Sequence, residues 1–197
     1  LDARYCIERY TKIIGKTPGV HRMSRWWESQ ELAFRLIQRL EETQPARRDG
    51  IYLANLKARQ LGMSTLMDLL IGHRCFFTTG LNALMAADET GQSAFLYAII
   101  ERFYDNLPWW LQPSCPSRAK GMFFDKLDTY LIVDHGNRPK VEGKSRRKDL
   151  GRGKTIHVAH LSELENWSNP AQIYDGLLPS LPARPGTLRS RPLVSLA

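Results

Sequence analysis

Apolar positions change their spacing several times along the chain, and each change marks an element. Residues 5–14 read as a short helix, closed by a Gly/Pro break at 15–19. Over residues 25–43, Trp27, Leu32, Phe34, Leu36, Ile37 and Leu40 recur at the spacing of an amphipathic helix, which ends in a polar loop at 44–50. Residues 51–56 form an apolar run of strand length, 57–63 a loop, and 64–71 a helix. A second apolar run, 83–87, is interrupted by Asp88, Glu89, Thr90 and Gly91. The next segment, 93–106, is helical on the recurrence of Phe95, Ile99, Ile100 and Phe103. Strand and helix therefore alternate, the pattern of a parallel sheet with helices packed on it. Residues 122–133 read as short strands, 134–154 as a polar, basic, glycine-containing stretch, 155–161 as a strand, and 171–178 as one or two helical turns. Pro179, Pro182, Pro185 and Pro192 then punctuate a segment without periodicity. The expected organisation is a helical lead-in (1–45), an α/β core (46–178) and an irregular tail (179–197).

Composition changes this picture little. With 197 residues, 43% of them hydrophobic and 24% charged, the chain can build the core of one ordinary domain. The 28 Lys+Arg against 20 Asp+Glu leave a net charge of +8, which favours a polyanionic partner such as nucleic acid, a nucleotide or an anionic membrane, and would also serve solubility alone. Cys6, Cys75 and Cys115 are odd in number and far apart, with no CxxC pair, so neither a zinc ribbon nor a disulfide framework is expected and a reducing interior fits best. No apolar run approaches the roughly 20 residues needed to span a bilayer.

The candidate chemistry begins at Lys57-Ala-Arg59-Gln60-Leu-Gly62-Met63-Ser64-Thr65, between the first strand and its helix. That context suits a phosphate-binding loop. Backbone N–H groups and the helix dipole face an anion there, Gly62 permits close approach, and the hydroxyl of Ser64 or Thr65 can meet Mg²⁺. Against the pattern G-x-x-x-x-G-K-[ST], Lys57 replaces the first glycine and Met63 the usual lysine. Lys57 and Arg59 then supply the cation from the front of the loop. A cationic strand–helix turn with no anion to hold would read the same way.

The form Lys-x-Arg-Gln-x-Gly-x-Ser-Thr resembles the loop of phage terminase large subunits, the DNA-packaging motors. Further segments resemble that family in order: Ile13-Ile14-Gly15-Lys16 ahead of Trp26-Trp27-Glu28-Ser29-Gln30, then Leu84 to Asp88, Leu107-Pro108-Trp109-Trp110, Gly151-Arg152-Gly153, and His160-Leu161-Ser162-Glu163 with Trp167 nearby. The resemblance spans about residues 5–187. It implies an α/β P-loop NTPase domain, a three-layer α/β/α arrangement with a mainly parallel central sheet. ATP and Mg²⁺ are the implied cofactors, with ATP bound by Gln30 (at the adenine; Gln38 is the alternative), Lys57, Arg59, Gln60, Gly62, Ser64 and Thr65, and the metal met by Ser64. It further implies Glu163 as the carboxylate that polarises the attacking water, with Glu165 as the alternative, and Arg152 as a trans-acting arginine finger. The implied partners are double-stranded DNA, the small terminase subunit, the portal protein and other copies in a ring, in the cytoplasm of the host bacterium.

Departures from the family pattern matter as much. The usual acidic pair at the end of the strand over 155–161 is Ser162-Glu163 here, so the position that normally orients the metal carries no charge. Residues 138–154 hold eight cations against two acids, and Lys144, Arg146, Arg147 and Lys148 are expected to face DNA phosphates without sequence preference. After Pro185-Gly186-Thr187 the family continues into a strand that couples hydrolysis to motion. Residues 188–192 do not read as one, and a truncated or frameshifted tail is expected. No counterpart of the nuclease's acidic cluster follows, so no DNA cleavage is expected. The alternative function is a degenerate nucleotide- or DNA-binding remnant without turnover. A helicase-like P-loop protein would need motifs after residue 163 that the sequence lacks.

Overall fold

The computed structural model describes residues 2–14, 18–43, 51–54, 62–135, 155–168, 177–181 and 193–196. The chain opens with α1 (Ala3–Tyr10), whose first turn is capped by the Asp2 carboxylate accepting from the Tyr5 N–H at 2.7 Å. The expected helix over 5–14 is cut short. Thr11 turns the backbone extended, and Lys12–Ile14 forms β1, paired antiparallel with β2 (Val20–Arg22). β-Branched Thr11, Ile13 and Ile14 favour that outcome over continued helix.

Helix α2 (Glu28–Thr43) starts three residues later than its apolar pattern. The side chain of Gln30 reaches back to accept from the Trp27 N–H at 3.0 Å, one half of a capping box. Then follow β3 (Ile51–Ala54), α3 (Met63–Phe77), β4 (Asn82–Ala87) and α4 (Thr90–Asp105). Next come β5 (Gly121–Phe124), β6 (Thr129–His135), β7 (Val158–Leu161), the single turn α5 (Leu178–Ser180) and β8 (Leu193–Leu196). Thr90 and Gly91, read as part of an interruption, already belong to α4.

Among the described residues the main sheet has six strands in the order β3-β8-β7-β4-β6-β5, parallel throughout except for β5, which runs antiparallel at one edge. Period-two alternation sorts its two faces. Ala83, Met85 and Ala87 of β4 and Val158 of β7 join the large core under α1, α2, α3 and α4. Leu84, Ala86, Ala159 and Leu161 point the other way, into a smaller core with Ile156, Trp167, Leu177 and Leu181. Helix α3 lies deepest, burying residues around most of its circumference, as a helix packed between sheet and other helices must. Phe76 of α3 stacks edge-on against Tyr104 and Phe124 with ring centres 5.6 and 5.7 Å apart, tying α3 and α4 to the sheet's edge.

The tail expected to be irregular contains a strand. Leu193–Leu196 forms β8 and fills the slot between β3 and β7, paired parallel with both. A four-residue run carries no periodic signal of its own, and here strand partners on both sides supply the hydrogen bonds that define it. Residues 136–154, 169–176 and 182–192 lie outside the described residues, and with them the basic stretch and most of the helical turns expected at 171–178.

Candidate functional site

In parallel sheets the carboxyl ends of the strands open onto a shared crevice. Here β4 and β7 end side by side, and the amino end of α3 faces them. A cleft of about 180 Å³ lies between, lined by Gly62, Ser64, Thr65, Gln92, Phe95 and Glu163 among others. β3 and α3 stand where a strand over 51–56 and a helix over 64–71 were expected, the helix running on to Phe77. Of the loop itself, Lys57, Arg59 and Gln60 lie outside the described residues, as do Arg152, Lys144, Arg146, Arg147 and Lys148.

Gly62 begins α3 in the left-handed region, with φ +64°. Its carbonyl accepts from Gln30 Nε2 at 2.8 Å, and a Cβ at this position would stand 2.6 Å from that same nitrogen. Both requirements, positive φ and close approach, select glycine. Gln30 was expected at an adenine ring. In this structure it is 5% exposed, and its amide is spent on protein backbone, with Nε2 on Gly62 and Oε1 on the Trp27 N–H. It therefore braces the start of α3 against the start of α2. The alternative, Gln38, lies two helical turns further along α2.

Across the cleft, Ser64 Oγ stands 3.4 Å from Ser162 Oγ. Ser162 is fixed from several sides. Its N–H donates to the Ala86 carbonyl at 2.9 Å, extending the β4–β7 ladder by one residue. Its carbonyl accepts from the Trp167 indole N–H at 3.1 Å in a buried contact. The next residue, Glu163, sits at φ 57°, ψ 45°, an unusual conformation for a residue with a side chain. Its carbonyl accepts from the Asn166 N–H at 3.0 Å, and its carboxylate accepts from Asn166 Nδ2 at 3.3 Å. The left-handed turn sets Glu163 on the cleft's wall, whereas the alternative carboxylate, Glu165, is exposed and does not line the cleft.

A magnesium ion takes oxygen ligands and usually meets only one or two protein groups beside phosphates and water. The hydroxyls of Ser64 and Ser162 and the carboxylate of Glu163 are of that kind. Among the described residues no group of three His, Cys, Asp or Glu could hold a metal. Oxygen donors of this kind suit a cation that completes its coordination with phosphate oxygens and water.

Sequence reasoning missed two features. Trp167 enters it only as part of a resemblance, without its role as the anchor of Ser162. Beneath the cleft, His160 Nδ1 of β7 and Asp68 Oδ1 of α3 meet at 2.7 Å with both side chains wholly buried. The available signal is a lone acid inside the apolar run Leu66-Met67-Asp68-Leu69-Leu70-Ile71, four residues after Ser64.

No family model matches the chain, and no curated protein matches it. Solved structures do. The large terminase of bacteriophage HK97 superimposes with a TM-score of 0.63 at 16% identity, over 99% of this chain and 36% of that one. The large terminase of a thermophilic bacteriophage gives a TM-score of 0.56 at 12% identity, over 88% of this chain and 39% of that one. The chain thus has the fold of phage large terminases and spans between a third and two fifths of their length. Among the described residues no helix is long and apolar enough to cross a membrane.

Proposed function

We propose that this chain is the ATP-hydrolysing part of a terminase large subunit, which couples hydrolysis to the movement of viral DNA into a capsid. The observation that carries the reading is the meeting of the first turn of α3 with the end of β7, Ser64 Oγ to Ser162 Oγ at 3.4 Å, on one cleft with Glu163. A phosphate chain held at the amino end of α3 would lie against these groups. Lys57, Arg59 and Gln60 serve as its side-chain donors, Gly62 lets the backbone close on it, and Thr65 adds a second hydroxyl. Mg²⁺ bound with ATP neutralises developing charge on the phosphates. Glu163 accepts a hydrogen bond from the attacking water and orients it in line with the terminal phosphorus. Arg152 serves a neighbouring subunit of a ring, and Lys144, Arg146, Arg147 and Lys148 contact DNA phosphates. The small terminase subunit and the portal protein complete the assembly, in the cytoplasm of the host bacterium.

A second reading, nucleotide binding without turnover, is favoured by one observation: Ser162 stands where a metal-orienting carboxylate would supply charge. The other ground for it was the missing coupling strand, and β8, the strand in the tail between β3 and β7, has the sequence Leu193-Val-Ser-Leu196 without an acid.

Titration of the purified chain with ATP·Mg²⁺, followed by turnover assays with DNA and partner proteins, separates the readings. Glu163→Gln is expected to keep ATP binding and stop hydrolysis, and Lys57→Ala to weaken affinity. No ATP binding by the parent chain refutes both readings. Binding without turnover selects the second, and equal turnover in Glu163→Gln and parent removes Glu163 from its role.

A further inference from the structure

We infer that Asp68 and His160 are positioning residues, a buried rung that sets the axial register of α3 against β7 and thereby places Ser64 opposite Ser162 and Glu163. This rests on the proposed nucleotide site for its functional meaning. Its structural content stands on the geometry alone.

Helix α3 runs away from the cleft and β7 runs toward it. Four residues of helix rise about 6 Å, and two residues of strand about 6.6 Å. Stepping from Ser64 to Asp68 therefore descends nearly as far as stepping from Ser162 back to His160. Two polar rungs result. The upper is the hydroxyl pair at 3.4 Å, beside the cleft, and the lower is the Asp68–His160 contact at 2.7 Å, with neither side chain exposed to solvent. Below them Val158 returns the interface to apolar packing.

The rungs differ in kind. A hydroxyl pair at 3.4 Å is at the weak end of hydrogen bonding and opens at little cost when a cation or phosphate oxygen enters. A short contact between a carboxylate and an imidazole, in the middle of a core, is strong and directional. Hydrophobic contacts around it bring α3 onto the sheet but tolerate sliding, because they carry no direction. The lower rung fixes where the helix stops, and the upper one is left free to yield. Breaking the lower rung by removing one partner leaves a buried polar group unsatisfied, whereas replacing both by apolar groups can be nearly neutral for stability.

That asymmetry supplies the test. Amide hydrogen exchange is followed in the parent chain, in Asp68→Val, and in the double variant Asp68→Val/His160→Leu, beside urea unfolding of each. The expected result is exchange faster by roughly tenfold or more at Ser162, Asn166 and Trp167, whose N–H groups are hydrogen-bonded at the cleft, and unchanged at Tyr130, bonded to Leu81. The double variant recovers the parent's urea midpoint without recovering protection at those three amides. Acceleration that is uniform across the chain, protection at the cleft restored by the apolar pair, or no change at the cleft overturns the inference. Where the parent hydrolyses ATP, Asp68→Val lowers kcat by about 100-fold and leaves ATP affinity within about twofold. A parent that binds no ATP removes the proposed nucleotide site, while the exchange comparison still decides whether the pair sets the register.

Discussion

Replacing Gly62 by alanine brings two separable costs to one atom. The first is conformational. At φ +64° an L-residue incurs about 1–2 kcal/mol of steric strain. The second is the neighbour. The new Cβ would stand 2.6 Å from Gln30 Nε2, closer than real contacts allow, so the Gln30 amide must move. It cannot move freely, because it is buried and holds the Gly62 carbonyl at 2.8 Å and the Trp27 N–H at 3.0 Å. Displacing it strands buried polar groups, at a cost of about 1–3 kcal/mol. Gly62→Ala should therefore destabilise by about 2–5 kcal/mol, read as a lower urea midpoint at unchanged slope. Gln30→Ala isolates the second part. It abolishes the same hydrogen bonds alone, so the double variant should fall short of the sum of the singles by about 1–3 kcal/mol. A Gly62→Ala cost below about 1 kcal/mol, or additivity within about 0.5 kcal/mol, refutes the account.

Two further outcomes follow from burial. The His157 imidazole accepts from the Asn82 N–H at 2.9 Å, and burial holds its pKa below the ordinary value of 6.5, so protonation favours the unfolded chain. Its contribution to stability is full above about pH 6.5 and is lost as pH falls through the depressed folded value. Subtracting the urea stability of His157→Gln from that of the parent should give a difference that shrinks on acidification below about pH 6.5, and a difference independent of pH defeats the assignment. Among the thiols, burial raises Cys6 to about 11 and Cys75 further still, while Cys115 is only partly buried. A maleimide at neutral pH should label one thiol in the folded chain and none in Cys115→Ser, and a second labelled thiol without unfolding contradicts this.

Local pattern revealed the elements whose signal is local. The alternation of apolar run and helix over 51–106 pointed to a mainly parallel α/β sheet, and the strand–loop–helix unit located the amino end of α3. It could not give strand order, because nothing in β7 states that β4 and β8 flank it. Nor could it show β8, whose four residues become a strand through partners distant in sequence. The site was legible by residue type and illegible by pairing. Ser64, Ser162 and Glu163 were each visible, but their meeting depends on the register between α3 and β7. Gln30 shows the same. Its residue type was visible, but its hydrogen bond to the Gly62 carbonyl, 32 residues away, was not.

The segment Ser162 to Trp167 shows how the fold holds a strained acid in place. Glu163 lies in the left-handed region without being glycine, at a cost of about 1–2 kcal/mol. Strain of that kind persists only where the surroundings over-determine it. Here they do so on both sides. Before it, Ser162 is locked by the Ala86 carbonyl and by the indole of Trp167, itself packed in the smaller core. After it, a short turn returns the Asn166 N–H to the Glu163 carbonyl and the Trp167 N–H to that of Leu164. The bulky tryptophan and the turn asparagine thus serve one end, which is to force the chain to leave β7 by a sharp corner. Without that corner the period of the strand would carry position 163 to the face shared by Ala159 and Leu161, away from α3. The backbone strain is what turns Glu163 onto the wall of the cleft that Ser64 also lines.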